Sequence, residues 1–218
     1  MRETRKIVVI GPESTGKSTL CECLAAHYQT TWVPEYAREY LLANGNRYTY
    51  EDLLTIAKGQ LEREDEIVSS GYPVASGVPG VNGVPAVNGK LSVASDETMR
   101  EEGAGKPHSL LTTHNSIPIF IDTDMYVMKV WSEFVFGRCH QWILDRIVSR
   151  RYDLYLLCNT DLPWVKDELR EYPDLATREK LFHIYKDLLV NQDTPWAEIS
   201  GDNGQRLQKA IEAVDGGR

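Results

Sequence analysis

The sequence has no apolar run of membrane length. Ile7–Ile10, behind the basic start MRETRK, is too short for a signal peptide or a membrane span, and no later segment comes closer. Cysteine is scarce: Cys21, Cys23, Cys139 and Cys158 are the only four, and they form no CxxC pair. They read as reduced core thiols of a cytoplasmic protein. Positive charge is also in deficit, with 24 Lys and Arg against 32 Asp and Glu and a net charge of −8. A nucleic-acid partner, which needs a basic stripe against phosphates, is therefore not expected, nor is a membrane partner. A small anionic ligand stays open, provided positive groups are gathered locally.

What is present is enough for one α/β domain over 1–218, because apolar residues make up 42% of the chain and can fold without disulfides or metal. Lys6–Ile10 reads as a buried strand from its β-branched content, and Ser18–Tyr28 as the helix after it. Further strands are expected around 30–33, 117–121, 154–158 and 196–199. Helices are expected over 35–44, 50–69, 177–190 and 204–214, with one long helix from Met125 to Ser149. Strands alternating with helices imply a parallel five-stranded sheet flanked by helices. The segment 71–115 is different. It contains GVPGVNG followed by VPAVNG, a small duplication rich in Val, Gly, Pro and Asn, and neither helical nor strand period survives there. It reads as a low-complexity surface insertion, with a role as lid or partner tether left open.

The segment Gly11-Pro12-Glu13-Ser14-Thr15-Gly16-Lys17-Ser18 fits GxxxxGK[ST] without mismatch, between a strand and a helix. Glycines let such a loop curl so that main-chain N–H groups face phosphate oxygens, and the helix N-terminus adds its positive end. Gly11, Glu13, Ser14, Thr15, Gly16, Lys17, Ser18 and Thr19 are thus the expected ATP-binding residues. Lys17 would reach the β- and γ-phosphates, Ser18 would ligate Mg²⁺, and Thr19 would touch the α-phosphate. The fold class that follows is that of P-loop nucleoside-triphosphate hydrolases, of nucleoside- or nucleotide-kinase type.

Two relatives within that class fit poorly. A GTPase carries NKxD after a late strand, where this chain reads LLCNTDLPW. A mechanical ATPase carries Asp-Glu at the end of an apolar strand, where this chain reads Ile119-Phe120-Ile121-Asp122-Thr123-Asp124. Transfer to a bound acceptor is favoured over hydrolysis. Asp122 is the expected second anchor of the metal. Asp124 either binds acceptor hydroxyls or caps the following helix. Glu35, after the second strand, is the candidate base for an acceptor hydroxyl, and Arg38 one turn later would pair with Glu35 or the phosphate; a surface Glu–Arg pair is the plain alternative. Tyr36, Trp131 and Gln60 are candidates for holding an aromatic acceptor base, against a core role for the two aromatics. Gly59, beside Gln60 in mid-helix, hints at a close approach. The stretch Asn159–Arg170 has the position of a lid, with Arg170 and then Arg178 offsetting phosphoryl charge. A solvated charged helix is equally open.

Taken together, GPESTGKSTL, PEYAREYL, IAKGQ, FIDTD and PWVKDELR resemble the ribosylnicotinamide kinase domain of the bifunctional nicotinamide-nucleotide adenylyltransferase/ribosylnicotinamide kinase family, over nearly the whole chain outside 71–115. The resemblance implies ATP- and Mg²⁺-dependent phosphorylation of the 5′-hydroxyl of nicotinamide riboside. Lys17, Glu35, Asp122 and Arg170 would be catalytic, Ser18 and Asp122 metal-binding, and Glu35, Tyr36, Arg38, Gln60 and Asp124 substrate-binding. The adenylyltransferase's paired histidines around a glycine are not found among His27, His108, His114, His140 and His183, and no DNA-reading domain is expected before Gly11. The expectation is a chain that makes nicotinamide mononucleotide but not NAD. Another nucleoside or nucleotide acceptor, or a non-catalytic ATP-bound regulatory module, stays open, as does the oligomeric state.

Overall fold

Four β-branched residues in a row, Ile7 to Ile10, set the centre of the molecule: each is fully buried. They end strand β1 (Glu3–Ile10), which pairs in parallel with β3 (Ser116–Asp122) and with β4 (Leu154–Cys158). The short β2 (Trp32–Val33) and β5 (Trp196–Ile199) form the edges, giving the order β2-β3-β1-β4-β5 in a five-stranded parallel sheet. The computed structural model describes residues 3–70 and 116–216, so the insertion expected at 71–115 lies outside the described residues.

Alternation along β1 serves two layers of helices. Ile7 and Val9 pack with α1 (Lys17–Tyr28) and α7 (Asn203–Gly216) through Leu20, Leu24, Ala210 and Val214. Val8 and Ile10 pack with α4 (Met125–Phe136) and α6 (Leu175–Val190) through Val127, Val130, Leu181 and Tyr185. Burial on both faces is what a near-continuous apolar strand requires, and each such side chain contributes about 1.5–3 kcal/mol. A third apolar cluster lies among α2 (Tyr36–Asn44), α3 (Tyr50–Ser69), α4 and α5 (Gln141–Ser149), around Leu53, Ile56, Met128 and Ile143. The α3 start carries a full capping box between Thr49 and Asp52.

The single helix expected over 125–149 is two helices. Gly137 takes the left-handed conformation, φ 68°, and its N–H closes α4 on the carbonyl of Glu133. Such a cap ends a helix, and α5 starts again after His140. The second strand is also shorter than expected: the Thr30 main-chain N–H is spent on the Ala25 carbonyl at the end of α1, at 2.9 Å, and pairing begins at Trp32. Cys21 and Cys158 are core thiols as expected, but Cys23 is exposed and Cys139 half-buried. Among the described residues no helix is long and apolar enough to cross a membrane.

The strand order positions the site. From β1 the chain winds to β2 and back to β3 on one side, then crosses to β4 and β5 on the other. Ligands in open parallel sheets bind outside the carboxyl ends of the strands where the winding reverses. The loop after β1, the end of β3 and the residue pair Pro34-Glu35 after β2 all meet there.

Candidate functional site

The loop Gly11–Gly16 is built by close packing as much as by flexibility. A Cβ on Gly11 would stand 2.7 Å from the Cys158 carbonyl oxygen, at a backbone φ of 142° that side chains rarely adopt. Gly16, φ 76°, begins α1. Between them, Pro12 offers its carbonyl to two donors, the Thr15 hydroxyl at 2.7 Å and the Lys17 ammonium at 2.9 Å. From behind, buried Arg206 of α7 donates to the carbonyls of Thr15 and Asn159 and pairs with Asp161. Nothing in the sequence singled out Arg206; only the fold brings the last helix under the loop.

A cavity of about 250 Å³ opens above the loop and is lined by all of Gly11–Thr19. Its walls are Glu35, Ala37, Arg38 and Leu41 after β2, and Val127, Val130, Trp131 and Phe134 of α4. Leu169–Tyr172 and the α6 residues Leu181 and Tyr185 complete it. The polar loop is one end; apolar and aromatic side chains are the other. Of the residues singled out in the sequence, the loop, Glu35, Arg38, Arg170 and Trp131 share this cavity. Trp131 is half-buried, its Nε1 donating to the Tyr48 hydroxyl at 2.8 Å. No hydrogen bond or ion pair among the described residues engages the Glu35 carboxylate, whereas Arg38 pairs with Asp167 at 2.5 Å.

Asp122 reaches the site through Ser18. The Ser18 hydroxyl donates to Asp122 Oδ2 at 2.5 Å, and Asp122 Oδ1 is buried without a partner. Burial, and then the charge of Glu35, push the Asp122 carboxyl up to about 7, against the opposing pull of Lys17 and Ser18. The next residue, Thr123, holds φ 79°, a strained setting for a β-branched side chain, and is itself buried.

Three expected substrate-binding residues lie outside the cavity. Asp124 is the helix cap: Oδ1 accepts from Tyr126 and Val127 N–H, and Oδ2 from the Tyr155 hydroxyl at 2.9 Å. Gln60 is buried and has spent its amide. Its Oε1 accepts from Tyr36 N–H at 2.7 Å and its Nε2 donates to the Asp122 carbonyl at 3.3 Å, tying the tips of β2 and β3 together. Tyr36 lies against Gly59, where a Cβ would come within 2.3 Å of its ring, and Arg63 stacks on the ring at 4.9 Å. The close approach hinted at by Gly59 is therefore that of Tyr36.

The segment after β4 is neither a helix nor free of the loop. Residues 162–174 are irregular. Val165 N–H donates to Ser14 Oγ at 3.0 Å, and Arg178 donates to the carbonyls of Ser14 and Leu162. Glu13, one of the expected ATP-binding loop residues, lines the cavity, and its carboxylate accepts from Trp164 Nε1, Glu171 N–H and Tyr172 N–H at 3.3, 2.9 and 2.5 Å. Arg178 is 2% exposed and absent from the cavity wall, so it fastens the segment, and of these two arginines Arg170 is the one that lines the cavity.

Comparison with known proteins agrees with this architecture. The Trifunctional NAD biosynthesis/regulator protein NadR of Escherichia coli (strain K12) is 24% identical over 215 residues, covering 96% of this chain. The protein of the same name from Salmonella typhimurium is also 24% identical. The chain spans 42% of the length of these two relatives. Among solved structures, NadR in complex with NR superposes with a TM-score of 0.63 at 21% identity, over 98% of this chain and 50% of that one. NadR in complex with NAD and AMP-PNP gives 0.60 at 21% identity, over 98% and 49%. Thymidylate kinase from Ehrlichia chaffeensis gives 0.58 at 12% identity, over 97% and 99%. These likenesses establish the P-loop fold. The profile of the AAA domain family matches residues 6–71 and 95–206, well over half of the sequence, and on that match the chain belongs to the AAA domain family.

Proposed function

We propose that this protein transfers the γ-phosphoryl group of ATP to the 5′-hydroxyl of nicotinamide riboside, giving nicotinamide mononucleotide. The observation that carries the reading is one cavity shared by the whole phosphate loop, the Glu35 carboxylate and an apolar, aromatic wall that includes Trp131 and Phe134. The likeness to NadR complexes with NR and with NAD and AMP-PNP supports the choice of donor and acceptor.

Loop N–H groups and the start of α1 would bind the triphosphate, and the Lys17 ammonium would offset charge growing on the β–γ bridge. Magnesium fits the residues present, because a buried carboxylate with an orphaned oxygen is the partner a cation needs. Ser18 and Asp122 would hold it, and when bound it would neutralise the β- and γ-phosphate oxygens. Glu35 takes the proton of the 5′-hydroxyl as that oxygen attacks phosphorus, and ADP leaves. Arg38 and Arg170 both line the cavity and would stabilise the equatorial oxygens. The segment over the cavity keeps water from competing.

The test is incubation with ATP, Mg²⁺ and a panel of ribosides, with mass detection of phosphorylated product. Nicotinamide riboside is expected to react fastest. Faster phosphorylation of another nucleoside would move the acceptor, and ATP binding with no product from any riboside would make the chain a nucleotide-bound module.

A further inference from the structure

A carboxylate within an anion-binding loop works against its purpose, since it repels the phosphates the loop gathers. Glu13 resolves this by directing its lone pairs to three N–H donors of one segment, Trp164 Nε1 and the main-chain amides of Glu171 and Tyr172. The same segment is bolted at its near end by Ser14 Oγ to Val165 N–H and by Arg178 across Ser14 and Leu162. Between the two fastenings lies Arg170, which faces the cavity and donates to the Val165 carbonyl. The far side of the segment is tied to the acceptor wall, through Arg38 to Asp167, Asn46 to the Glu168 carbonyl and Tyr48 to Glu171. One strap thus spans from the phosphate loop to the α2–α3 side of the cavity, and its only side-chain tie at the 171–172 end to the loop is Glu13 among the described residues.

We infer that Glu13 is a positioning residue that latches the strap to the phosphate loop, and so sets where Arg170 stands and how well water is kept from the phosphoryl group. Charge-assisted hydrogen bonds of this kind are the strong ones, and two of the three donors are main-chain amides that the sequence cannot replace. The inference rests on the phosphotransfer reading for its catalytic consequence but not for the latch itself.

The test uses the full chain with ATP and Mg²⁺, in the wild type, Glu13→Gln and Trp164→Phe. Glu13→Gln keeps the shape but offers an amide NH₂ to a donor; Trp164→Phe removes one donor and leaves Glu13 in place. Two quantities are read: amide hydrogen exchange of the 162–173 peptide against the β1 peptide, and ADP formed per phosphorylated riboside. Expected for Glu13→Gln is exchange about tenfold faster in the strap alone, and about tenfold more ADP released without transfer, with Trp164→Phe between it and the wild type. Unchanged strap exchange overturns the latch. Faster exchange with an unchanged ADP-to-product ratio overturns the positioning role. Faster exchange in β1 as well marks general unfolding of that variant, and Trp164→Phe then decides by the same two readings. A wild type that phosphorylates no riboside would defeat the phosphotransfer reading, while the exchange experiment would still decide the latch.

Discussion

Ser18 Oγ and Asp122 Oδ2 stand 2.5 Å apart, a hydrogen bond that joins the first turn of α1 to the end of β3. It satisfies one oxygen of a fully buried carboxyl and leaves the other with no partner. Burial and Glu35 push that carboxyl up to about 7, and burial pushes the capping Asp124 up to about 7 as well. The protein therefore tolerates two ionisable groups at the strand tip that prefer, unaided, to keep their protons.

This has a consequence for stability against pH. A carboxyl raised in the folded state stabilises the fold only while it holds its proton. From the ordinary value of 3.8 upward the unfolded chain releases the proton first, so stability falls until the folded group ionises near 7. In the absence of Mg²⁺, the melting temperature should drop between about pH 5 and about pH 8, and drop less in Asp122→Asn. At the upper pH the variant should melt roughly 2–4 °C above the wild type, which at 218 residues corresponds to about 1 kcal/mol. Mg²⁺ with ATP should stabilise the wild type and not the variant. Scanning fluorimetry across pH decides; parallel profiles for the two proteins would remove Asp122 as the source.

Lys17 is held by a single carbonyl, that of Pro12, at the mouth of the loop. Its loss removes the one side-chain cation within the loop while leaving the glycines and the Thr15–Pro12 bond in place. Lys17→Ala should cost at least about a hundredfold in turnover, the scale seen when a preorganised charge is removed from a transition state. A near-normal initial rate would show that the ammonium does not act on the phosphates.

Local signals account for what was legible. The glycines, the lysine and the β-branched run before them mark the loop and its strand with no knowledge of the fold, because each has a conformational or packing reason to stand there. Alternating strand and helix patterns gave the parallel sheet for the same reason. Side-chain direction was another matter. Glu13, Asp124 and Gln60 are all polar residues next to the site by position, yet each is turned onto main-chain partners, and those partners are set by tertiary contacts from residues 24 to 159 positions away or by a helix start. Arg206 was invisible because its targets, the Thr15 and Asn159 carbonyls, exist only once α7 packs beneath the loop. The break at Gly137 was readable as a C-cap, but the apolar spacing on both sides of it imitated one continuous helix.

Glu35 lines the cavity and, among the described residues, makes no ion pair. Glu35→Gln keeps its volume and removes its capacity to take a proton. The kcat for riboside phosphorylation should fall by about 10²–10⁴, with the affinity for ATP changed by less than about threefold. The same change removes a negative charge beside Asp122, so the carboxyl there should move back toward its ordinary range. Steady-state kinetics with nucleotide titration separates the effects. An unchanged kcat would shift the base to another carboxylate.

Gly59 and Tyr36 offer a test in which two opposite effects compete at one atom. Alanine is better than glycine in a helix interior by about 0.8–1 kcal/mol, which favours Gly59→Ala in α3. Against it, the new Cβ would stand 2.3 Å from Tyr36 Cε1 and 2.5 Å from Cζ, far inside contact distance. The ring cannot easily swing away, because Arg63 covers it at 4.9 Å and Gln60 grips the Tyr36 N–H at 2.7 Å. Overpacking of this sort costs about 1–3 kcal/mol, so the clash should win and the variant should lose about 1–2 kcal/mol in urea unfolding. Placed in a Tyr36→Ala background, the same Gly59→Ala change meets open space and should instead stabilise, by up to about 1 kcal/mol. The reversal of sign is the signature of the pair. Equal effects in both backgrounds would mean that the glycine is not there to admit the ring.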